Sequence, residues 1–479
     1  MSFEIDPRNA PIRVVELELG DRPARLANPA DRGAAPDPSP TGHVMALVRV
    51  HGRPVGLVET LVHEPGSALE TLTAAAYREL ADEIADEIAE EVDAAGATGP
   101  GPDSPNVDPG LGGAAPPFIS VVIATRERPE ILARALGSAI AIDYPRFEVI
   151  VVDNAPATDA TETLVRERFG DKVVYVREPM RGLASAHNRG AAVASGEIVA
   201  FTDDDVLIDP GWLTAIADAF ASGSGSEGER DVACVTGLIV PAELRTRTQA
   251  MLEWHAKPTK GFSRRVVNMG AAGGVDRLFP YTAGELGAGA NMAFTTSLLR
   301  ELGGFDPAMG VGTATLGGDD LMAFFLAIAT GRTLVYQPEA LIWHHHHTDE
   351  RALLAQARGH SVGLGAFLTG IALHHPEMLP LLARRLPRAA GHAVHQLRSR
   401  SPRAAGSKAP ATLLPRSVAA AERRALFYGP LAYLRASRAV RRARADAAAA
   451  TATARPTAET AQMAPTTRAT QNPAPGAGR

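Results

Sequence analysis

The middle of the chain alternates short runs rich in valine and isoleucine with segments of helical character. The runs are FISVVIAT, FEVIVVDN, KVVYVRE and EIVAFTDDD, and they begin at Phe118, Phe147, Lys172 and Glu197. Continuous β-branched runs separated by helices are typical of strands buried on both faces, in a parallel sheet with helices on each side. This alternation predicts a Rossmann-like α/β fold from Phe118 onward, with a mostly parallel sheet.

Polar side chains follow these apolar runs, at Thr125, Asp153 and Asp203–Asp205. Parallel sheets bind ligands at the carboxyl ends of their strands, so we expect these side chains at one binding edge. Two plainer interpretations stay open, in which Asp153 caps a turn and the aspartate triplet is a solvated loop. Three adjacent carboxylates behind a buried strand favour a bound cation, because a cation relieves their repulsion. Hard oxygen ligands suit Mg²⁺ or Mn²⁺, which also bind phosphate oxygens, so the sequence predicts a nucleoside diphosphate ligand.

The composition argues against several classes of protein. The single cysteine, Cys234, rules out an intramolecular disulfide and a cysteine metal cluster, and its apolar neighbours predict a buried thiol. The formal net charge of −6 gives no reason to expect nucleic-acid binding. No basic-then-apolar leader begins the chain, and no uncharged apolar run reaches the about 18 residues of a membrane span. We therefore expect a cytoplasmic protein.

The first 93 residues predict a small α+β module. It consists of a strand at Ile12–Gly20, a hairpin over His43–Val62 and an amphipathic helix from Leu69 to Val92. The outer face of this helix is acidic, which favours a solvated surface over an acidic docking site. Residues 94–117 are rich in proline and glycine and have almost nothing bulky to bury, so we interpret them as a linker.

Five motifs follow in order between residues 118 and 347. They are SVVIATRERPEILARAL, FEVIVVDNAPATD, RGLASAHNRGAAVASGEIVAFTDDD, GAGANMAFTTSLLRELGGFD and GGDDLMAFFLAIATGRTLVYQPEALIWHHHH. In this order and spacing the chain resembles the family 2 glycosyltransferases of GT-A fold, in particular bacterial, rhamnosyltransferase-like members. The resemblance covers nearly half of the chain and implies a catalytic domain over residues 118–375. It also implies an inverting, metal-dependent transfer of a sugar from a nucleotide-diphosphate sugar to an acceptor hydroxyl, in the biosynthesis of a cell-envelope glycan or glycolipid.

The resemblance assigns the nucleotide side of the cleft. It implies that Thr125 and Glu127 line the nucleotide pocket and that Asp153 reads the base edge. Arg181 adds a fixed cation, with an ordinary surface arginine as the alternative. In the triplet, Asp203, Asp204 and Asp205 cover the family's DxD motif: the first two are expected to contact the donor, and Asp205 is the expected metal ligand.

The resemblance also assigns the sugar and acceptor side. Gly289 and Asn291 are expected to shape the cleft where the donor sugar meets the acceptor. Asp320 matches the catalytic aspartate of the family's ED motif and is the expected general base. Asp319 replaces the usual glutamate, one methylene shorter, and is assigned to substrate binding. Capping of the following helix is a compatible alternative for this pair, and the glycines of TLGGDD are expected to let the backbone pass close to the substrate.

A run of four histidines, His344–His347, ends the last motif. The resemblance implies that His344 completes the metal site, although His346 is an alternative ligand. The QxxRW signature of processive polysaccharide synthases is absent, which favours a distributive enzyme.

The chain becomes basic after residue 376. Between Arg384 and Arg444 there are fourteen arginines and one lysine against a single acid, Glu422. We predict a basic helical region over residues 376–446, in which 423–444 mixes aromatic residues and leucines with arginines at helical spacing. Such a helix can lie on an anionic membrane surface, where a lipid-linked acceptor is found, or it can pack on the catalytic domain. Residues 447–479 are of low complexity, which predicts disorder.

Two other functions stay open. A sugar nucleotidyltransferase is expected to carry a glycine-rich phosphate loop with a lysine after its first strand, where this chain has TRERPE. A non-catalytic nucleotide-sugar-binding protein is the second alternative, and the intact Asp320 argues against it.

Overall fold

The computed structural model describes residues 5–20, 23–27, 40–97, 115–222, 231–270, 278–385 and 416–454. Most of the linker expected over 94–117, a central part of the basic region and most of the low-complexity tail lie outside these residues.

The N-terminal part is a four-stranded sheet with two helices. Its elements are β1 (Ile12–Leu19), β2 (Arg25–Ala27), β3 (Gly42–Val50), β4 (Arg53–Val62), α1 (Ala68–Glu79) and α2 (Ala81–Ala97). The strand order is β2-β1-β3-β4, in which β1 and β3 are parallel and the other pairs are antiparallel. The hairpin expected over His43–Val62 is β3 and β4, but the expected single helix is divided at Leu80, which lies outside both helices.

Both faces of this N-terminal sheet are buried, because alternate residues of a strand point to opposite sides. On one side, Val44, Ala46 and Val48 share a core with residues of α1. On the other side, Met45 and Leu47 join a second core, which also contains Leu238, Val240, Leu341 and Trp343 of a second, larger sheet. The N-terminal sheet is therefore packed against the larger sheet and is not merely tethered to it.

A buried arginine joins the two parts electrostatically. Arg49, on the side of β3 that faces the larger sheet, donates to the Asp209 carboxylate at 2.6 Å. Its guanidinium also lies 3.1 Å from a Glu16 carboxylate oxygen and donates to the carbonyl of Gly52 at 2.9 Å. Because Arg49 and Asp209 are each 7% exposed, each charge depends on the other in place of solvent.

The larger sheet has nine strands. Its strands are β5 (Ile119–Thr125), β6 (Phe147–Asn154), β7 (Val174–Glu178), β8 (Ile198–Asp203), β9 (Val206–Ile208), β10 (Val232–Pro241), β11 (Arg265–Val267), β12 (Asn291–Thr295) and β13 (Thr333–His344). The order is β11-β13-β10-β12-β8-β5-β6-β7, and β9 pairs with β13. Strands β8, β5, β6 and β7 are parallel, as are β10 and β13, whereas β12 is antiparallel to both of its neighbours.

Helices cover both faces of this sheet. They are α3 (Pro129–Ala139), α4 (Ala160–Arg168), α5 (Leu183–Val193), α6 (Trp212–Ala221), α7 (Arg247–Ala256), α8 (Thr296–Leu302), α9 (Asp319–Ala329), α10 (Glu350–His374) and α11 (Arg416–Ala454). One core contains Leu136 of α3 and Trp212 of α6, and the core on the opposite face contains Ala184 of α5 and Phe324 of α9. The expected α/β fold, with helices on both faces of the sheet, is confirmed.

The C-terminal helix α11 packs along α10. At Gly365 of α10 and Gly429 of α11 the backbones touch, and a Cβ on Gly365 would lie 2.3 Å from the carbonyl oxygen of Leu426. Tyr433 of α11 donates to the Asp306 carboxylate at 2.6 Å. No described helix combines the length and apolar character that crossing a membrane requires.

We predict that Arg49→Met destabilises the protein by about 3–5 kcal/mol, because it leaves the buried Asp209 without its cation. The free energy of unfolding, measured by urea titration, tests this. The control is Arg53→Met on β4, where the arginine is exposed and lies 3.1 Å from Glu87; there we expect a change below about 1 kcal/mol. Equal small losses in both variants would contradict the role of the Arg49 pair.

Candidate active site

The first three polar positions predicted from the sequence lie side by side at one edge of the large sheet. Thr125 of β5 is in register with Asp153 of β6, and Ala124 is in register with Asp203 of β8. All three strands run parallel, so their carboxyl ends meet at this edge.

The aspartate triplet is divided between the interior and the cleft. Asp204 is fully buried, and its carboxylate accepts hydrogen bonds from Thr125 Oγ1 at 2.6 Å and from the Arg128 guanidinium. Burial raises the pKa of Asp204 to about 6, although Arg128 acts in the opposite direction. The expectation that Asp204 contacts the donor does not fit this geometry: Asp204 supports the loop from inside, and Thr125 is engaged in the same contact.

Asp203, Asp205 and His344 form a group whose ligand atoms all lie within 4.8 Å of one another. Asp205 Oδ1 is buried without a hydrogen-bond partner and lies 3.4 Å from His344 Nε2. Burial and the nearby charge of Asp205 raise the pKa of Asp203 to about 7. Burial would lower the pKa of His344, but the contact with Asp205 and its charge outweigh this effect and raise it. Two carboxylates and an imidazole suit Mn²⁺ or Mg²⁺, so these residues fit the divalent cation that the family implies.

The structure distinguishes the two candidate histidine ligands. His344 is the last residue of β13 and lies in the group with Asp203 and Asp205. The His346 ring is buried, and its Nε2 atom lies 2.7 Å from Glu253 Oε2 on α7. His344 is therefore the histidine of the candidate metal site.

The candidate nucleotide side contains one unpaired carboxylate oxygen. Asp153 is fully buried; its Oδ2 accepts a hydrogen bond from Tyr175 at 2.9 Å, and its Oδ1 has no partner. Next to it, Asn154 accepts from the backbone N–H of Gly182 at 2.9 Å and donates to the carbonyl of Met180 at 2.8 Å. Asn154 thus fixes the loop that leads into α5, and the expected contact between Asp153 and a base stays a prediction.

Glu127 and Arg181 lie at the surface around this pocket. The Glu127 carboxylate accepts from the backbone N–H groups of Ala157 at 2.7 Å and Thr158 at 3.1 Å, so it ties the loop after β5 to the loop after β6. Arg181 is exposed and forms no ion pair with the described residues. Their predicted contacts with the nucleotide stay predictions.

Asp320 lies in the first turn of α9 and is partly exposed. Its Oδ2 accepts from the backbone N–H of Gly289 at 3.0 Å, and its Oδ1 accepts from that of Leu321 at 2.8 Å. Gly289 is therefore a direct neighbour of the expected base. At Gly318, just before α9, φ is +92° and a Cβ would lie 2.7 Å from the carbonyl oxygen of Gly363. The glycine here serves the close approach of α10, so the expected approach to the substrate is not the reason for it.

Asn291 has a structural position. It is 1% exposed; its side-chain amide donates to the carbonyls of Leu238 at 2.9 Å and Ala340 at 2.7 Å, and its oxygen accepts from Trp212 Nε1 at 2.9 Å. The expectation that Asn291 lines the cleft does not fit these contacts, because both of its N–H donors are used to join strands inside the domain.

Asp319 is buried beside a histidine that the sequence analysis did not single out. The Nδ1 atom of His187 lies 3.7 Å from Asp319 Oδ2, and neither His187 nitrogen has a hydrogen-bond partner. Burial lowers the pKa of His187 to about 3, whereas burial and the charge of Asp320 raise the pKa of Asp319 to about 7. Near neutral pH the histidine is therefore neutral.

Two residues of the site escaped the sequence analysis. Arg128, in the segment TRERPE, contacts both Asp204 and Asp205. It directly precedes Pro129, the first residue of α3, and this position at a strand-to-helix loop is the sequence feature that could have identified it. His187, packed between the rings of Phe201 and Phe305 at 5.0 and 5.1 Å, lies on α5 with no distinguishing sequence pattern.

Comparison with known proteins shows what the chain is similar to. Residues 120–278 match the family model "Glycosyl transferase family 2". Over 239 residues the chain is 24% identical to the glucosyl-dolichyl phosphate glucuronosyltransferase of Haloferax volcanii, a match that covers 47% of this chain and 68% of that protein. Over 269 residues it is 25% identical to the pre-mycofactocin glycosyltransferase of Mycobacterium tuberculosis, covering 54% of this chain and 48% of that protein.

Among solved structures, the mannosyltransferase PcManGT from Pyrobaculum calidifontis, in complex with GDP-Man and Mn²⁺, is 23% identical. The superposition covers 77% of this chain and 96% of that chain with a TM-score of 0.39, too low a likeness to support any statement about the site.

The α/β fold, the acidic strand end and these matches define an enzyme of the glycosyltransferase class. The likeness to glycosyl transferase family 2 extends over residues 120–278, about a third of the chain.

We predict that Asp204→Asn and Asp205→Asn have different effects. Asp204→Asn weakens a buried charged pair, so we expect about 1–3 kcal/mol lower stability with metal-dependent nucleotide binding retained. Asp205→Asn removes an expected metal ligand, so we expect Mn²⁺-dependent binding of a nucleoside diphosphate to be lost. Calorimetric titration of both variants with Mn²⁺ and UDP, GDP and dTDP tests this; loss of binding in Asp204→Asn at unchanged stability would contradict the interior role of Asp204.

We also predict that His187 makes stability pH-dependent. Between pH 6.5 and about 3 the unfolded chain binds a proton at His187 that the folded protein does not. This histidine therefore makes stability increase with pH by about 1.4 kcal/mol per unit in that window. Asp319 has the opposite effect between pH 3.8 and about 7, because the folded state retains its proton. In urea titrations between these limits, the slope of the unfolding free energy against pH should thus be larger for wild type than for His187→Gln. A difference of zero would contradict it.

Proposed function

We propose that this protein is an inverting, metal-dependent glycosyltransferase that moves a sugar from a nucleotide-diphosphate sugar to an acceptor hydroxyl. The observation that supports this best is the presence of two separate acidic groups, a candidate metal site and a candidate general base. One is the group of Asp203, Asp205 and His344 at the strand ends, and the other is Asp320, partly exposed at the start of α9 and held by two backbone N–H groups.

The metal group would hold Mg²⁺ or Mn²⁺, which supplies Lewis-acid stabilisation of the charge on the departing diphosphate. On the nucleotide side, the free Oδ1 of Asp153 can accept a hydrogen bond from a base edge. Arg128 holds Asp205 from the protein side at 3.2 Å and so limits the orientations of this carboxylate.

We assign the general base to Asp320. In its ionised form, one of its oxygens takes the proton of the acceptor hydroxyl while the acceptor oxygen bonds to C1 of the sugar and the bond from C1 to the diphosphate breaks. Attack opposite the leaving group inverts the anomeric centre. The N–H groups of Gly289 and Leu321 fix the carboxylate, and each leaves lone pairs of the oxygen free for the proton.

Asp319 is less suited to this role. It is 5% exposed and faces His187, and burial together with the charge of Asp320 raises its pKa to about 7. A carboxyl group that is half protonated at neutral pH and screened from the cleft is a poor partner for an acceptor hydroxyl. We propose that Asp319 instead fixes the position of the first turn of α9 from the buried side, where it faces His187.

The donor and acceptor are open within this proposal. One relative is named for a dolichyl phosphate-linked acceptor, which supports a lipid-linked acceptor here, and a glycan acceptor is equally compatible with a distributive enzyme. A rhamnosyl donor, a role in the cell envelope and a cytoplasmic location stay predictions from the sequence.

The rival functions have less support. A sugar nucleotidyltransferase is expected to carry a glycine-rich phosphate loop with a lysine after β5, where this chain has TRERPE and Glu127 binds backbone N–H groups of the neighbouring loop. A non-catalytic binding protein would have no use for a fixed, partly exposed carboxylate at Asp320.

We predict that Asp320→Asn lowers turnover by about 100-fold or more, because the amide cannot take up the proton. A panel of nucleotide sugars with Mn²⁺ or Mg²⁺ first identifies the donor through release of free nucleoside diphosphate. The variant is then compared with wild type on that donor, and Mn²⁺-dependent binding of the nucleoside diphosphate is measured by calorimetry and expected to be unchanged. The matched control is Glu350→Gln, an exposed acid in the first turn of α10, which should keep full turnover. Full turnover in Asp320→Asn would place the base elsewhere.

A further inference from the structure

The outward face of α11 is apolar along its centre. Phe427 is 83% exposed, Leu431 45% and Leu434 40%. At about 100° per residue these three side chains fall within about 60° of arc on the helix. Phe427 is the most exposed of the large apolar side chains in the described part of the protein.

Arginines flank this apolar centre on the same half of the helix. They are Arg423, Arg424, Arg435, Arg438, Arg441 and Arg442, and all are exposed. Arg435 donates to the hydroxyl of Tyr428 at 2.8 Å, and the other five form no ion pair with a described residue. We call the three apolar residues and these six arginines the basic face.

The opposite side of α11 is already used for packing. Tyr433 and Ala436 share a core with Met322 and Phe325 of α9 and Phe367 of α10. The backbone contact between Gly365 and Gly429 leaves no room for side chains between the helices. The basic face therefore cannot turn inward without breaking this core, and its exposure is a fixed property of the fold.

We propose that the basic face docks on an anionic lipid bilayer. Phe427, Leu431 and Leu434 enter the boundary between headgroups and acyl chains, and the flanking arginines bind lipid phosphates. An amphipathic helix with a basic rim and an apolar centre has this chemistry. Docking itself does not depend on the proposed sugar transfer.

Two other occupants fit the charge pattern less well. A second copy of this chain would bring twelve arginines face to face without acids to neutralise them. A nucleic acid would satisfy the arginines but would leave the exposed phenylalanine and leucines without a role. A bilayer with anionic headgroups satisfies both parts of the face.

The position of the face has a mechanical consequence. Helix α11 shares a core with α9, and α9 begins at Asp319 and Asp320. The orientation of the candidate base relative to a bilayer is therefore set by packed helices and not by a flexible arm. This consequence rests on the proposed function, whereas docking does not.

Sedimentation of the full chain with lipid vesicles tests the proposal. We expect binding to vesicles of equimolar phosphatidylcholine and phosphatidylglycerol and little binding to phosphatidylcholine alone. The apolar variant Phe427→Gln/Leu431→Gln/Leu434→Gln and the charge variant Arg423→Gln/Arg438→Gln/Arg441→Gln should each bind anionic vesicles at least about tenfold more weakly.

Matched controls use residues of equal type elsewhere. Leu61, Tyr77 and Ile88 are 43%, 52% and 40% exposed on the N-terminal part, and changing all three to glutamine should leave vesicle binding unchanged. Circular dichroism and the melting temperature verify that each variant is folded, and release of nucleoside diphosphate from a soluble donor should be as in wild type. A Phe427→Trp variant gives a second readout, a blue shift of fluorescence on adding anionic vesicles.

Several results would overturn the proposal. They are failure of folded wild type to bind anionic vesicles, equal binding by the apolar variant, and absence of a blue shift in Phe427→Trp. A dimer in sedimentation velocity that both variants abolish, without vesicle binding, would assign the face to a second copy. Binding of DNA or RNA lost only in the charge variant, again without vesicle binding, would assign it to nucleic acid.

Discussion

The candidate site depends on how three neighbouring carboxylates share one strand end. Asp203 ends β8, and Asp204 and Asp205 form the turn that leads to β9; in this turn Asp204 is buried, whereas Asp203 and Asp205 stay partly exposed. The interior carboxylate is held by Thr125 and Arg128, and the cleft carboxylates approach His344. Arg128 contacts both sets, since it binds Asp204 and lies 3.2 Å from Asp205. Arg128 thus neutralises the buried carboxylate of Asp204. The remaining negative charge lies at Asp203 and Asp205, in the group that could bind a divalent cation.

A similar division occurs at the start of α9, by helical geometry. Asp319 and Asp320 are adjacent in sequence, but side chains of successive helix residues diverge by about 100°. Asp319 points to the buried His187, and Asp320 reaches the N–H of Gly289 at the edge of the cleft. In both places the local backbone gives neighbouring aspartates different surroundings, one buried and one at the edge of the cleft.

The alternating apolar runs predicted the parallel half of the large sheet and its covering helices well, because strands buried on both faces have a strong local signature. The same signature located the strand ends, and with them Asp153, Asp203 and Asp205. What local pattern could not predict were contacts between distant segments. Asn291 looked like a cleft residue until its amide was found between β10, β13 and α6; His187 looked like an ordinary helix residue; and His346 could be separated from His344 only by its contact with Glu253. The shared core of Met45 and Leu47 with Trp343 is of the same kind, since its partners are about three hundred residues apart.

That shared core restricts how independently the N-terminal sheet and the larger sheet can evolve. Leu341 and Trp343 of β13 pack against the N-terminal sheet, and the next residue is His344 of the candidate metal site. A lineage that lost the N-terminal sheet would expose these apolar side chains and release the strand that carries the histidine. Recombination between the two parts would therefore be selected against even if the N-terminal part touched no substrate. The N-terminal sheet and strand β13 share one core, so substitutions on either side of this core constrain those on the other.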